Sequence, residues 1–372
     1  MRREILSTHA AFASFGAFWG AWAALLPAVQ RHVGASKSQL GLALLFVAVG
    51  ALPAMLATGA IVDRLGRNVV APALLLFAAA VVGPGFAPSL VVLGLSLVGV
   101  GVASGALDVA INAQASSLEE ATGRRIMPVA HALFSAGLVV ASVSVGLARQ
   151  AGAKPGGVLL AVCAVVAATG ALNARAVRLP RVTPGPRRRL NLTRPLVALG
   201  LLCAVAFVVE SGTENWSALY LESRLGGDPA VGGLGPAAFA AAMVAGRLGG
   251  GALERHLGER RLLVAGASVA ASGLLVAAAA PSAGLALVGF AVTGIGISVA
   301  APTLFGAAGR RADADDRGTA VAAVTTVSYL GFLCGPPLIG AVAGVWGLRV
   351  AMIALAGVAV VYGLGAAAHR EW

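Results

Sequence analysis

Twelve apolar runs of roughly 20 residues dominate this sequence, and glycine, proline or charged residues mark the breaks between them. An apolar helix of about 20 residues is long enough to cross the hydrocarbon core of a bilayer. Helices are expected because lipid cannot satisfy the polar backbone of open strands or loops. The sequence therefore predicts an all-α membrane protein with twelve transmembrane helices, near residues 8–28, 39–60, 69–87, 90–116, 128–149, 157–177, 196–220, 231–253, 262–280, 284–307, 319–343 and 348–368.

The composition supports this class. Hydrophobic residues make up 58% of the 372 residues and charged residues 11%, and the mean hydropathy is +0.88. Soluble domains usually contain about 25% charged residues. Twelve spans with short loops leave no room for a sizeable soluble domain, so we expect the function to lie within the bilayer.

The residue types that carry enzymatic or metal chemistry are scattered. The five histidines lie mostly near the ends of predicted spans, and the three cysteines lie singly in apolar runs. A membrane enzyme needs a paired nucleophile and base or a metal cluster at membrane depth. The sequence also lacks the GxxxxGK(S/T) loop that holds ATP phosphates. We therefore expect no enzyme activity, no metal and no cofactor, with the proton gradient as the energy source.

The basic residues are unevenly distributed among the loops. Of the 27 arginines and lysines, twenty fall on the side of the spans that holds both termini, six fall on the other side, and Arg247 lies within a span. Basic loops face the cytoplasm. We predict a multi-pass protein of the bacterial cytoplasmic (inner) membrane with both termini cytoplasmic. Topology thus accounts for the net charge of +12, and nucleic acid is not expected as a partner.

A basic, proline-rich segment divides the chain into two parts with six predicted spans each. The expected organisation is an N-terminal six-helix half at 1–178, a basic cytoplasmic linker at 179–195 and a C-terminal six-helix half at 196–372. Equal halves predict an internal repeat at about half the chain length.

A charged loop follows the second predicted helix of each half. The first is GAIVDRLGRN, with Gly59, Asp63, Arg64, Gly66 and Arg67 as its characteristic residues. The second is GGALERHLGERR, in which Glu254 and Arg255 occupy the places of the acid and the first arginine. This spacing, position and repetition resemble the signature loop of the major facilitator superfamily.

The resemblance covers the whole chain and carries several implications. It implies two pseudo-symmetric six-helix halves around a cavity at the midplane of the membrane, and transport by alternating access. In the family, this loop latches the cytoplasmic side in the outward-open state. Gly59 is expected to allow close helix approach, and Asp63 to cap a helix or pair with an arginine. The loop residues, Arg247, Glu254 and Arg255 are therefore candidate gating residues.

A closer resemblance is carried by four further stretches. They resemble the uncharacterised YbjJ-like branch of the superfamily, near the fucose-permease group, which supplies no substrate. The stretches are ALDVAINAQASSLEEATGRRIMPVAHALFSAG, FVVESGTENWSALYL, AAMVAGRLGG and VSYLGFLCGPPLIGAVAG.

Two pairs of polar residues lie one helical turn apart inside predicted spans. Asp108 precedes Asn112 on the fourth span, and Glu210 precedes Glu214 on the seventh, followed by Asn215. A carboxylate at membrane depth costs several kcal/mol unless it faces a cavity or a partner, and such groups are suited to bind and release protons. All five are candidate substrate- or proton-binding residues. The alternative for Asp108 is a structural carboxyl satisfied by a neighbouring helix, and the alternative for Glu214 and Asn215 is a solvated helix end.

The sequence allows three interpretations of Arg247. It pairs with an acid such as Asp108 or Asp63, it binds an anionic group of the substrate, or its side chain reaches the cytoplasmic interface. Trp19 and Trp216 are candidates for substrate contact through their aromatic faces, although stripes of aromatic residues at helical spacing also serve packing.

These observations predict a monomeric secondary transporter. The leading mechanism is proton-coupled symport of a small polar solute, with a sugar or sugar-like molecule as one candidate substrate and Asp108 or Glu210 as the proton carrier. One alternative is an exporter or antiporter of small organic compounds. The other is a protein that keeps the fold of a transporter but acts as a sensor and moves no solute.

Overall fold

The structure is a computed structural model. It describes residues 2–65, 69–176, 193–311 and 317–369, except for the side chains of residues 60, 63–65, 317–319 and 322. Every regular element in these ranges is a helix. The helices pack into an N-terminal unit, Met1–Pro186, and a C-terminal unit, Arg187–Trp372.

The described part of the N-terminal unit contains six α-helices. They are α1 Arg2–Val33, α2 Lys37–Leu65, α3 Val70–Ala80, α4 Leu90–Thr122, α5 Met127–Gln150 and α6 Pro155–Ala176. The single helix predicted over 69–87 is wrong at its end, because α3 ends at Ala80 and a 3-10 turn, Gly83–Phe86, follows. Pro84 has no N–H to donate to the carbonyl four residues earlier, which explains the break.

The described part of the C-terminal unit also has six helical elements, the last of which contains two arms. They are α7 Arg194–Ser223, α8 Pro229–Leu257, α9 Glu259–Ala279, α10 Ala283–Ile297, α11 Ala300–Arg311 and α12 Arg317–Ala368. The continuous helix predicted over 284–307 is interrupted between α10 and α11. Pro302 cannot donate a hydrogen bond to the carbonyl of Ser298, so the ladder is broken there.

Helix α12 is a hairpin with two arms, 317–346 and 348–368, which meet at Gly347. Gly347 has φ 84° and ψ 167°, a conformation open to glycine and strained for other residues. Along the first arm, Val327 and Ile339 lie beside Gly200 and Gly212 of α7; along the second, Leu355 lies beside Gly212. Further on, Gly365 meets Leu202 of the same helix. The first arm therefore runs parallel to α7, and the second runs back along it.

Ten stretches of the described chain are helical, long and apolar enough to cross a membrane, and Val70–Phe86 is a shorter apolar segment. Two of the ten are Ala283–Arg311, which contains the break before α11, and Ala323–Ala368, which contains the turn at Gly347. The prediction of an all-helical membrane protein is confirmed.

Within each unit, small residues at the helix crossings allow the helices to pack closely. A Cβ added at Gly16 or Gly20 of α1 would overlap the backbone carbonyls of Phe134 or Leu138 in α5. In the C-terminal unit, a Cβ at Gly331 of α12 would overlap the Ala204 carbonyl of α7. Close backbone approach of this kind is typical of helix packing in membranes.

Candidate functional site

The N-terminal unit carries its acidic candidate on α4. Asp108 and Asn112 are both half-buried. The Asn112 Nδ2 donates to Asp108 Oδ1 at 3.1 Å and to the Asp108 backbone carbonyl at 2.9 Å. The spacing of one turn thus brings the amide to the carboxylate, as the sequence predicted for residues on one helix face.

The C-terminal unit carries an ion pair that joins two helices. Glu210 Oε1 of α7 lies 3.6 Å from Arg247 Nη2 of α8, and the two side chains are 15% and 39% exposed. The structure therefore gives Arg247 a partner from its own unit, whereas the sequence analysis had considered Asp108 and Asp63. The interpretation of Arg247 as a neutralising cation is retained, with Glu210 as the acid.

Glu214 lies one turn beyond Glu210 and is half-buried. It interacts electrostatically with both Glu210 and Arg247, so the three groups form one cluster of two acids and one base on facing sides of α7 and α8. Asn215 is not part of the pairing, since its Nδ2 donates to the Ser211 carbonyl of its own helix at 2.8 Å.

The two tryptophan candidates differ in their surroundings. Trp19 is half-buried, and its ring makes edge contacts with Phe15 and Phe18. Trp216 is completely buried. It follows Glu214 by two residues, which places it on the opposite side of α7 at 100° per residue. The structure therefore does not bring Trp216 together with the acids, and a packing role explains its burial.

The first signature loop falls largely outside the described part of the chain. Gly66 and Arg67 lie outside the described residues, and Asp63 and Arg64 belong to the end of α2 but their side chains are not described. Around Gly59, no atom of the described residues lies within 4 Å of an added Cβ. The close helix approach expected at Gly59 is therefore not seen in the described part of the chain, and it stays a prediction.

The second copy of the loop is described. Gly258 has φ 75° and joins α8 to α9, so a residue of left-handed conformation forms the turn. Glu254 is half-buried and Arg255 exposed, and both line a surface depression with Gly258 and Glu259. Neither Glu254 nor Arg255 has an ion pair among the contacts described for this unit.

The sequence did not predict two further polar contacts. Arg310 of α11 pairs with Glu259 at the start of α9. In the N-terminal unit, Glu119 Oε2 accepts hydrogen bonds from the backbone N–H groups of Ile126 and Met127, both at 2.8 Å, and so caps α5. Both depend on how separate helices meet, which hydropathy and spacing do not encode. The described residues contain no cluster of metal-ligating side chains.

Comparisons with known proteins agree with this architecture. A family model described as Major Facilitator Superfamily matches residues 9–253 and 205–370. An uncharacterised transporter of the same type from Yersinia pestis is 34% identical over 355 residues, which cover 93% of this chain and 90% of the relative. The membrane protein MosC of Rhizobium meliloti is 31% identical, over 96% of this chain and 89% of its own.

Among solved structures, a variant of the nucleoside transporter NupG has a TM-score of 0.84 to this chain at 13% identity. The alignment covers 99% of this chain and 100% of that protein. At this low identity the similarity concerns the fold, an assembly of membrane-spanning helices, and leaves the transported solute open.

Proposed function

The chain belongs to the major facilitator superfamily, and from this premise we propose that it is a proton-coupled symporter of a small polar solute. It is an MFS-type transporter with an all-helical, multi-span membrane fold. The proposed mechanism is alternating access, in which a binding site is open to one side of the membrane at a time.

The observation that carries the proposal is the Glu210–Arg247 ion pair. It lies in the apolar helices α7 and α8, at a distance of 3.6 Å. Charged groups within membrane spans are costly, and they pair with one another and mark ion or substrate pathways. A carboxylate that has a nearby cation and is incompletely buried, as Glu210 is with 15% of its side chain exposed, can exchange a proton without being stranded as an isolated charge.

Asp108 is the second candidate for the proton carrier. Its carboxylate accepts a hydrogen bond from an amide, which cannot balance a negative charge as a cation does. Loss of the charge by protonation would leave the Asn112 amide able to bond to the backbone carbonyl of Asp108, as it already does. Either acid could therefore cycle between charged and neutral forms during transport.

The finer predictions complete the proposal. We propose twelve spans, counting Val70–Phe86 as one and each arm of α12 as one, with both termini in the cytoplasm of a bacterium and the protein in its inner membrane. We also propose that the chain belongs to the YbjJ-like branch near the fucose-permease group and that the protein is a monomer. A gating role is proposed for Gly59, Asp63, Arg64, Gly66 and Arg67. We propose a gating role for Glu254 and Arg255 as well.

The test measures proton movement with candidate solutes. De-energised cells that overproduce the protein are suspended in weak buffer, and external pH is recorded as sugars, polyols, nucleosides and organic acids are added in turn. Symport predicts alkalinisation with at least one solute, and its loss in Glu210→Gln or Asp108→Asn. Glu120→Gln is the matched control, because Glu120 is an exposed acid at the end of α4 and its charge is not part of the proposed mechanism.

The outcomes separate the competing functions. Alkalinisation that survives both Glu210→Gln and Asp108→Asn would overturn the assignment of the carrier. Acidification of the external medium when a solute is added to everted vesicles would instead indicate export, because the solute then enters the vesicles in exchange for protons. Absence of proton movement with every solute, from protein verified in the membrane, would contradict symport and favour the non-transporting sensor.

A further inference from the structure

The guanidinium of Arg247 is only loosely engaged. An arginine presents five N–H donors in a planar fork. In the described part of the chain its ion-pair partner is Glu210, and the separation of 3.6 Å exceeds the range of about 2.7–3.2 Å for a hydrogen bond. The side chain is also 39% exposed. Arg247 therefore keeps donors available for a ligand.

Among the described residues of the C-terminal unit, the charged groups that face Arg247 come from α7. Helix α8 packs against α7, α9 and α10. Glu210 and Glu214 are the acids on α7 that interact with the guanidinium. The α10 sequence has no charged residue, and the charged residues of α9 lie in its first turn, Glu259–Arg261. Two acids and one arginine thus govern the charge of this cluster.

A ligand with a carboxylate or phosphate suits these donors better than Glu210 does. Carboxylate and phosphate groups can both accept two parallel N–H bonds from a guanidinium, whereas the Glu210 oxygen stays 3.6 Å away, and such charge-assisted pairs are stronger than neutral hydrogen bonds. Their formation would leave Glu210 without its cation within an apolar helix pair. Uptake of a proton by Glu210 removes that uncompensated charge, so anion and proton would bind together.

We propose that Arg247 binds an anionic group, carboxylate or phosphate, of the transported solute, and that this group displaces Glu210, which takes up the proton. The assignment rests on the proposed transport function and specifies its substrate class. When the anionic group is a carboxylate, one negative charge and one proton enter the site together, so the net charge of the cluster is unchanged by loading. By linkage, anion affinity should rise as pH falls, because protons and anion favour the same state.

The experiment measures binding to the full-length protein purified in detergent. Calorimetric titrations use two matched pairs of probes, D-glucuronate against D-glucose and ribose 5-phosphate against ribose, which separate carboxylate from phosphate recognition. The glucuronate titrations are made at about pH 5.5 and about pH 7.5, where its carboxylate stays ionised. Wild type is expected to bind at least one acidic probe roughly 10-fold or more tightly than its neutral partner.

Three substitutions link the affinity to the ion pair. Arg247→Gln should abolish the preference for the acidic probe, and Arg247→Lys should retain part of it, since lysine keeps the charge but not the fork. Glu210→Gln should bind glucuronate at both pH values about as tightly as wild type does at the lower one. Arg224→Gln, which removes an exposed charge at the end of α7, should bind as wild type. Thermal unfolding without ligand shows that each variant is folded.

Two results would overturn the assignment: equal affinity of wild type for acidic and neutral probes, including no binding of either, or undiminished acid binding by folded Arg247→Gln. Proton movement in cells with neutral solutes alone would uphold symport and refute the anion site. Arg247-dependent acid binding without proton movement in cells would uphold the anion site and refute symport.

Discussion

The two units place acids in apolar helices, and the partners described for these acids differ. In the N-terminal unit, Asp108 accepts a hydrogen bond of 3.1 Å from Asn112 of the same helix. In the C-terminal unit, Glu210 of α7 forms an ion pair with Arg247 of α8. Packing, in contrast, is alike, since close backbone contacts at glycines join α1 to α5 and α7 to α12. The halves thus share a scaffold and differ in their electrostatics.

This difference concerns the contacts that join helices. The hydrogen bond from Asn112 to Asp108 lies within α4 and does not itself join two helices. A carboxylate neutralised by a cation on another helix ties its protonation state to the contact between α7 and α8. In the C-terminal unit, protonation of Glu210 would therefore bear directly on the contact between α7 and α8.

The shared scaffold gives the largest expected effects. Gly20→Val and Gly331→Val place a side chain against the Leu138 and Ala204 carbonyls, and each should destabilise the protein by about 3 kcal/mol or more, because backbone must move. Thermal unfolding followed by size-exclusion chromatography measures this. Gly99→Val is the control, since no atom lies within 4 Å of its added Cβ. A large loss in one unit only would show that the packing is not equivalent.

The second largest effect is expected from breaking the ion pair. Arg247→Gln leaves Glu210 without its cation and should lower the free energy of unfolding by about 1–3 kcal/mol, below the value for a fully buried pair because Arg247 is partly exposed. The double variant with Glu210→Gln should recover most of the loss, which a double-mutant cycle of unfolding free energies measures. Additive losses would mean that the two side chains are not energetically coupled.

A smaller effect is expected on α4. Asn112→Ala removes one hydrogen bond to the Asp108 carboxylate and should cost about 0.5–1.5 kcal/mol. Because the pair lies within one helix, Arg247→Gln and Asn112→Ala should have additive effects on the free energy of unfolding. A loss for Asn112→Ala larger than that for Arg247→Gln would reverse the proposed contrast between the units.

The smallest effect is expected at the Arg310–Glu259 pair. The side chains are 54% and 24% exposed, and exposed ion pairs contribute about 0–1 kcal/mol. Glu259→Gln should therefore lower the thermal midpoint slightly at low salt and not at all at high salt, where screening removes the attraction. A salt-independent loss would point to a packing role for Glu259.

Hydropathy was sufficient to predict the helices, because lipid accepts few other backbone conformations. The predicted boundary between 343 and 348 coincides with the turn at Gly347. The predicted helices over 69–87 and 284–307 were too long, because Pro84 and Pro302 each interrupt the hydrogen-bond ladder inside an apolar run. A single proline hardly changes the mean hydropathy of such a run.

The candidate site was predictable only where it depended on helical periodicity. One-turn spacing sufficed to associate Asp108 with Asn112 and Glu210 with Glu214. The partner of Arg247 was not predictable, because it depends on the rotation of α8 against α7. Trp216 shows the same limit, since a tryptophan beside an acid in sequence points away from it on a helix.

The turn at Gly347 also bears on how the protein is made. The ribosome delivers the first arm of α12 before the second, yet α7 needs both, since Gly212 lies beside Ile339 and Leu355. Until the second arm is synthesised and folds back at Gly347, one flank of α7 stays open to lipid or to insertion factors. Completion of the C-terminal unit is therefore a late event in biogenesis, and chains stalled before Gly347 should be prime targets of membrane proteases.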